Sequence, residues 1–216
     1  MKLMRVGVLG SGSVGKVLGA GFASLGHEVR IGTRHPDRDD IRQWTESTQG
    51  RGAAGSFAEA AAFGDLIVLA TLGNVTEEIV RQIGIPPFGN KVVIDATNPI
   101  KTNPDAPPSL FISGNDSLGE HIQRALPATR VVKAFNTVGA PHMVNPSFQT
   151  KPDMFIAGND DEAKRIVAQV CEAFGWGVAD IGTIEGSRYL EAMCMAWVLY
   201  GIRAGSWNHA FKMVKA

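Results

Sequence analysis

The sequence predicts an α/β protein of the Rossmann type, a doubly wound, mostly parallel sheet with a small helical C-terminal part. Three observations predict it. Short β-branched runs alternate with helix-length segments along most of the 216 residues. The first run stops at a glycine-rich turn that opens a helix. Several later runs are apolar throughout, as strands covered on both faces are.

Residues 5–10 (RVGVLG) read as the first strand. Residues 14–25 carry Val14, Val17, Leu18, Phe22 and Leu25 at helical spacing and stop at Gly26. Residues 28–32 (EVRIG) alternate as a second strand, and a polar helix is expected over 36–48. A glycine-rich passage at 50–55 leads to an Ala-rich helix at 57–63 and the unbroken apolar strand 65–71 (DLIVLAT). A helix over 75–83 and a strand over 91–96 (KVVIDA) continue the alternation. Then come a helix at 118–125, a strand at 130–135, a strand at 153–157, a helix at 161–174 and a short strand at 177–181. The chain closes on a helical region, 188–214, rich in Met, Trp and Leu. The proline-rich segment 99–108 and the stretch 139–152 read as linkers. The expected division is a Rossmann domain over 1–140 and a smaller α/β part over 141–216.

Bulk properties narrow the function classes. Lys plus Arg and Asp plus Glu both number 21, so the net charge is zero. That balance gives no electrostatic case for nucleic acid or an anionic membrane surface. Glycines interrupt the N-terminal apolar run, unlike the core of a signal peptide. The longest apolar stretch, 192–202, is too short to span a bilayer. A cytoplasmic protein without nucleic-acid or membrane partners is expected. Cys171 and Cys194 lie in apolar helical contexts with no partner at metal spacing, as reduced core thiols do. No metal site is expected. His27, His121, His142 and His209 are scattered and read as surface or strand-edge residues.

Gly10-Ser11-Gly12-Ser13-Val14-Gly15 is GxGxxG between a strand and a helix. Gly10 permits the tight turn, Gly12 lets backbone N–H groups approach a pyrophosphate, and Gly15 lets the helix pack on the strand. The helix N-terminus opened by Val14 attracts the anion, and Ser11 and Ser13 can add hydroxyl donors. At the end of the second strand an NAD site places an acid to bind the ribose 2′-hydroxyl. Here the residues are Gly32-Thr33-Arg34-His35, with no acid before Asp37. Arg34 suits a 2′-phosphate through charge-assisted hydrogen bonds, Thr33 can donate a hydroxyl, and His35 can flank the phosphate. Arg38 and Arg42 fit an exposed helix face. The expected cofactor is therefore NADP(H).

Further motifs follow in a fixed order: Leu25-Gly26-His27-Glu28-Val29, Asp95-Ala96-Thr97-Asn98-Pro99 and Val131-Val132-Lys133-Ala134-Phe135-Asn136-Thr137. With them the chain resembles the coenzyme F420-dependent NADP oxidoreductase family, and also the cytosolic reductase domain of STEAP metalloreductases. The resemblance implies a nicotinamide at Thr71-Leu72-Gly73, Asn98-Pro99 and Asn136-Thr137. It implies an acceptor pocket with Asn98, Asn136 and Thr137, and a C-terminal part that contributes to that pocket and to a homodimer. F420, FMN or FAD would accept the hydride. Asn136 stands where the F420 enzymes have a histidine, whereas the STEAP-like sequences share the Phe-Asn pair. Trp207 and Met195 are candidates to touch the acceptor.

No catalytic acid–base pair stands out. Reducing a carbonyl requires a proton donor, whereas a flavin or deazaflavin mainly requires ring alignment and exclusion of water. Lys133 is the tempting donor, but alternation along a strand puts Lys133 and Asn136 on opposite faces, which makes Lys133 structural. Two other readings remain open: an NADPH-dependent reductase of a small carbonyl or imine, and a non-catalytic NADP(H) sensor. The apolar residues of the last helical region fit a buried helix and a homodimer interface equally.

Overall fold

The computed structural model describes residues 2–214. In chain order its elements are β1 (Arg5–Leu9), α1 (Ser13–Ser24), β2 (Glu28–Gly32), α2 (Asp39–Ser47), β3 (Gly52–Gly55), α3 (Phe57–Phe63) and β4 (Leu66–Leu69). They continue with α4 (Gly73–Ile83), β5 (Val92–Asp95), β6 (Ile100–Asn103), β7 (Ala106–Leu110), α5 (Leu118–Ala125) and β8 (Arg130–Lys133). β9 (Asp153–Gly158), α6 (Asp161–Ala173), β10 (Gly177–Asp180) and α7 (Ser187–Ala204) complete the chain.

Eight strands form one sheet in the order β3-β2-β1-β4-β5-β8-β9-β10. All neighbours are parallel except β8 and β9, which pair antiparallel. The strand order reverses between β1 and β4, which opens a crevice at the carboxyl ends of the strands. Within the central strands, side chains alternate between two apolar layers. Val8, Val68 and Ile94 pack with Phe22, Trp44 and Phe174 on one face. Leu9, Ile67 and Val93 pack with Ala60, Val80 and Ile122 on the other. Each fully buried side chain of this size contributes about 1.5–3 kcal/mol, so the two layers account for the unbroken apolar strands.

Four features differ from the sequence-based expectation. β3, Gly-Ala-Ala-Gly, is an edge strand where only a glycine-rich passage is expected; a Cβ on Gly52 would lie 2.5 Å from the Thr48 hydroxyl, so the small residue serves close packing rather than a turn. The segment after Pro99 is a β6–β7 hairpin, not a linker, and its prolines are tolerated because it is a separate two-stranded ribbon. α7 stops at Ala204, because Gly205 takes the left-handed C-cap conformation with φ 61° and ends the helix ten residues before Val214. His27 belongs to the interior: it is 1 % exposed, accepts from the Met4 N–H, and burial lowers its pKa.

Both cysteines are free and buried, and burial pushes the thiol of Cys194 up to about 12 and that of Cys171 higher still. Among the described residues no helix is long and apolar enough to cross a membrane.

Candidate cofactor and active site

The crevice has two ends, and the β1–α1 turn builds the first. Gly10 has φ 129°, and a Cβ there would lie 2.3 Å from the Ala70 carbonyl oxygen. A Cβ on Gly15 would lie 1.9 Å from the Gly10 carbonyl oxygen, so only glycine lets α1 come this close to the strand. A Cβ on Gly12, by contrast, would meet nothing within 4 Å. That open space lies at the start of α1, where the N-cap residue Gly12 provides no side-chain cap and the first turn holds no acid. The unmet N–H groups of Ser13, Val14 and Gly15 therefore suit an anion. A dinucleotide pyrophosphate fits this cradle by shape and by charge.

Thr33 leaves β2 beside this turn, buried, and its hydroxyl accepts from Ser11 Oγ at 2.9 Å and from the His35 N–H at 3.3 Å. The Ser11 hydroxyl is thus committed to Thr33 rather than free for a phosphate, while the Thr33 hydroxyl keeps its own proton to donate. Arg34 and His35 are exposed, and Arg34 has no carboxylate partner among the described residues. Its neighbours are engaged: Lys16 lies 2.9 Å and Arg38 2.6 Å from Asp40, and Arg42 lies near Asp39. The two arginines beside Arg34 behave as the helix-face charges expected of them.

The second end forms where β4, β5 and β8 finish. Gly73 starts α4 so close to the β5 exit that a Cβ on it would lie 2.0 Å from the Asn98 carbonyl oxygen. Thr71 and Thr76 share a hydrogen bond of 2.8 Å across this turn, and Leu72 projects outward, 76 % exposed. Asn98 and Asn136 face each other. Asn98 Nδ2 donates to the Asn136 carbonyl at 2.9 Å, and Asn136 Nδ2 donates to Asn98 Oδ1 at 2.9 Å and to the Leu190 carbonyl of α7 at 2.9 Å. Asn136 Oδ1 is buried and has no partner. A buried, unpaired acceptor is costly unless a ligand donor meets it, and a nicotinamide carboxamide carries such a donor. Pro99 and Thr137 are buried beside the pair.

Asn136 reaches α7 because the chain breaks alternation just before it. Phe135 has φ 63°, a conformation that costs a bulky residue of order 1–3 kcal/mol. The twist sends its ring to the same layer as Val132 and Ala134, against Phe174 at 5.9 Å. The premise that Lys133 and Asn136 alternate along one strand is therefore corrected. β8 ends at Lys133, and both residues contact α7, at Glu191 and Leu190 respectively.

Lys133 is fully buried, with Nζ 2.7 Å from Asp95 Oδ2, 2.7 Å from Glu191 Oε1 and 3.0 Å from the Thr97 carbonyl oxygen. Burial pulls its pKa down, but the charges and hydrogen bonds of Asp95 and Glu191 outweigh that and hold it above the usual lysine value. Its three N–H groups are matched by three interior contacts, which leaves none directed elsewhere. Glu191 also accepts from the Leu118 and Gly119 N–H groups at the start of α5, and Asp95 Oδ1 accepts from the Thr97 N–H and hydroxyl. Sequence reasoning missed Asp95 and Glu191. A carboxylate ending an apolar strand and another within a Met- and Trp-rich helix were the available signals. Trp207 is not in a helix; it packs at a tilt against Trp197, centroids 5.3 Å apart, over Gly201, and the Trp197 ring borders Gly139.

A Rossmann sheet with this turn at its switch point defines the dinucleotide-binding class. The family described as NADP oxidoreductase, coenzyme F420-dependent, matches residues 5–99. A crystal structure from Arthrobacter sp. FB24, bearing the name F420 dependent NADP-reductase, superposes with a TM-score of 0.92 at 34 % identity, covering 98 % of this chain and 100 % of that one. The chain belongs to this family, and it is an NADP-dependent oxidoreductase. The F420-dependent NADP reductase of Methanocaldococcus jannaschii is 26 % identical over 88 % of this chain and 89 % of its own length. Rat Metalloreductase STEAP3 is 24 % identical over 88 % of this chain, which spans 36 % of that longer protein.

Proposed function

We propose that the protein transfers hydride between NADPH and a deazaflavin of the F420 type. The observation that carries transfer to a planar ring is the Asn98–Asn136 pair, two carboxamides at a crevice beneath which the buried Lys133 has its protons engaged by Asp95, Glu191 and Thr97. Such a site orients rings and excludes water but offers no evident acid for a developing alkoxide. The names of the archaeal and Arthrobacter relatives support the same acceptor.

In this reading the α1 N-terminus holds the pyrophosphate, with Gly12 leaving room for it. Arg34 and Thr33 hold the 2′-phosphate. Asn136 Oδ1 accepts from the nicotinamide carboxamide and fixes the ring, while Leu72 and Pro99 shield it from water. NADPH supplies the hydride, and a solvent proton completes reduction of the acceptor. Anaerobic oxidation of NADPH with F420, FMN, FAD and ferric chelates in parallel tests the proposal. F420 is expected to turn over at least tenfold faster than either flavin. Binding of NADPH without turnover of any acceptor would overturn it in favour of a sensor, and reduction of a cyclic imine alone would favour an imine reductase.

We also propose that a second copy covers α7. Tyr189, Ala192, Ala196, Leu199 and Arg203 are exposed at the three- and four-residue spacing of a helix–helix seam, with two alanines at its centre. A two-fold antiparallel pairing would bring Arg203 of one copy toward Glu185 of the other, both exposed. Light scattering should give twice the chain mass; a monomer at micromolar concentration would refute the pairing.

A further inference from the structure

The nicotinamide end depends on two asparagines in loops, and loops alone do not hold a carboxamide to within the fraction of an ångström that hydride transfer requires. Asn98 follows the β5 exit; Asn136 follows the left-handed Phe135. Neither sits in regular structure. What fixes both lies one layer deeper. Lys133 directs one contact to Asp95, whose other oxygen holds Thr97, and a second to the Thr97 carbonyl itself, so the residues before Asn98 are gripped from both sides. Its third contact goes to Glu191, adjacent to the Leu190 carbonyl that receives Asn136 Nδ2. The same Glu191 binds the first amides of α5, which anchors α7 against α5.

We infer that Lys133 is a positioning residue for hydride transfer: through Asp95–Thr97 it places Asn98, and through Glu191–Leu190 it places Asn136, so one buried ammonium sets the spacing of the carboxamide pair. Lys133 is then neither a proton donor nor a mere filler of the interior. It also fixes the direction of the unpaired Asn136 Oδ1, because the Asn136 amide has only Asn98 and Leu190 to hold its plane. The β1–α1 turn and Arg34 lie at the other end of the crevice and do not depend on it.

The inference rests on the proposed seat of NADPH in this crevice, so its test reads the nicotinamide directly. Emission from the reduced ring changes on leaving water, whether or not an acceptor is present. Lys133→Met leaves two buried carboxylates facing each other and risks unfolding. The uncharged set Lys133→Met, Asp95→Asn and Glu191→Gln keeps similar shapes without an unpaired charge. Both proteins should be titrated with NADPH and assayed for single-turnover oxidation well below their melting temperatures. The triple variant should keep NADPH affinity within about threefold, held by the phosphate contacts, while emission of the bound ring reverts toward that of free NADPH and hydride transfer slows at least tenfold. A folded triple variant with wild-type emission and transfer rate would overturn the inference and leave Lys133 purely structural. If the wild-type protein binds NADPH with the emission of the free cofactor, the nicotinamide does not sit at the asparagines and the crevice reading fails with it.

Discussion

The two ends of the crevice are made of different materials. Between Gly10 and Arg34 the proposed binding surface is mostly backbone: a glycine turn and the first N–H groups of α1, with one arginine at the end of β2 that has no carboxylate partner among the described residues. At the other end it is side chain. Asn98 and Asn136 hold each other, and beneath them Asp95, Lys133 and Glu191 join β5, β8 and α7 in a buried ion cluster. The first end is local in sequence and tolerates nothing larger than hydrogen at two positions. The second is assembled across the fold, where the cost of one lost partner is an uncompensated buried charge. If NADPH lies in this crevice as proposed, its affinity and the alignment of its reactive ring rest on separate structures, which substitutions should separate.

The largest effect is expected from the glycines. In Gly15→Ala the new methyl would lie 1.9 Å from the Gly10 carbonyl oxygen, backbone against backbone, so α1 must move away from β1. Such overpacking typically costs about 1–3 kcal/mol, and the shift also carries the pyrophosphate donors out of line. Calorimetric titration should show NADPH affinity down by roughly a hundredfold or more, with a lower melting temperature of the cofactor-free protein. Gly12→Ala makes the contrast. Its methyl meets no protein atom within 4 Å, so the cofactor-free melting temperature should stay unchanged while NADPH binding still falls at least tenfold. If Gly12→Ala bound NADPH as well as the parent, the turn would not be the pyrophosphate seat.

The Lys133 variants are the mirror image of Gly12→Ala, since they should keep affinity and lose alignment. The two ends also differ in how far residue types alone reveal them. Gly10, Gly12 and Gly15 announce a turn because no other residue serves their backbone, and the parallel sheet follows from runs such as Leu66–Leu69. Phe135 announces nothing: its left-handed φ is imposed by packing, and it reverses the alternation that puts Lys133 and Asn136 apart. Glu191 lies within a helix whose apolar residues dominate its pattern, and its partners come from β8 and α5. β3 was hidden by residues of low strand propensity, whereas the end of α7 at Gly205 was readable and was masked by the apolar Trp207 and Met213 beyond it.

Arg34→Ala should act on one cofactor alone, and it asks how much of the backbone-built end is backbone. Arg34 is exposed and has no carboxylate partner among the described residues, so its removal leaves no protein group stranded and stability should be unaffected. NADPH and NADH differ only by the 2′-phosphate, and a charge-assisted hydrogen bond is worth about 1.5–3 kcal/mol. NADPH affinity should therefore fall roughly ten- to a hundredfold, while NADH affinity changes by less than about twofold. Some preference for NADPH should survive, because the Thr33 hydroxyl, which accepts from Ser11 and the His35 N–H, still has its proton to donate. The salt dependence of NADPH binding should also weaken, since an exposed ion pair is screened at ordinary ionic strength. Equal losses for the two cofactors would mean that Arg34 contributes general positive potential and that selection of the phosphate lies elsewhere on the turn. A loss for NADPH alone would assign the larger part of the discrimination to this side chain, the remainder to the Thr33 hydroxyl, and pyrophosphate binding to the backbone around them.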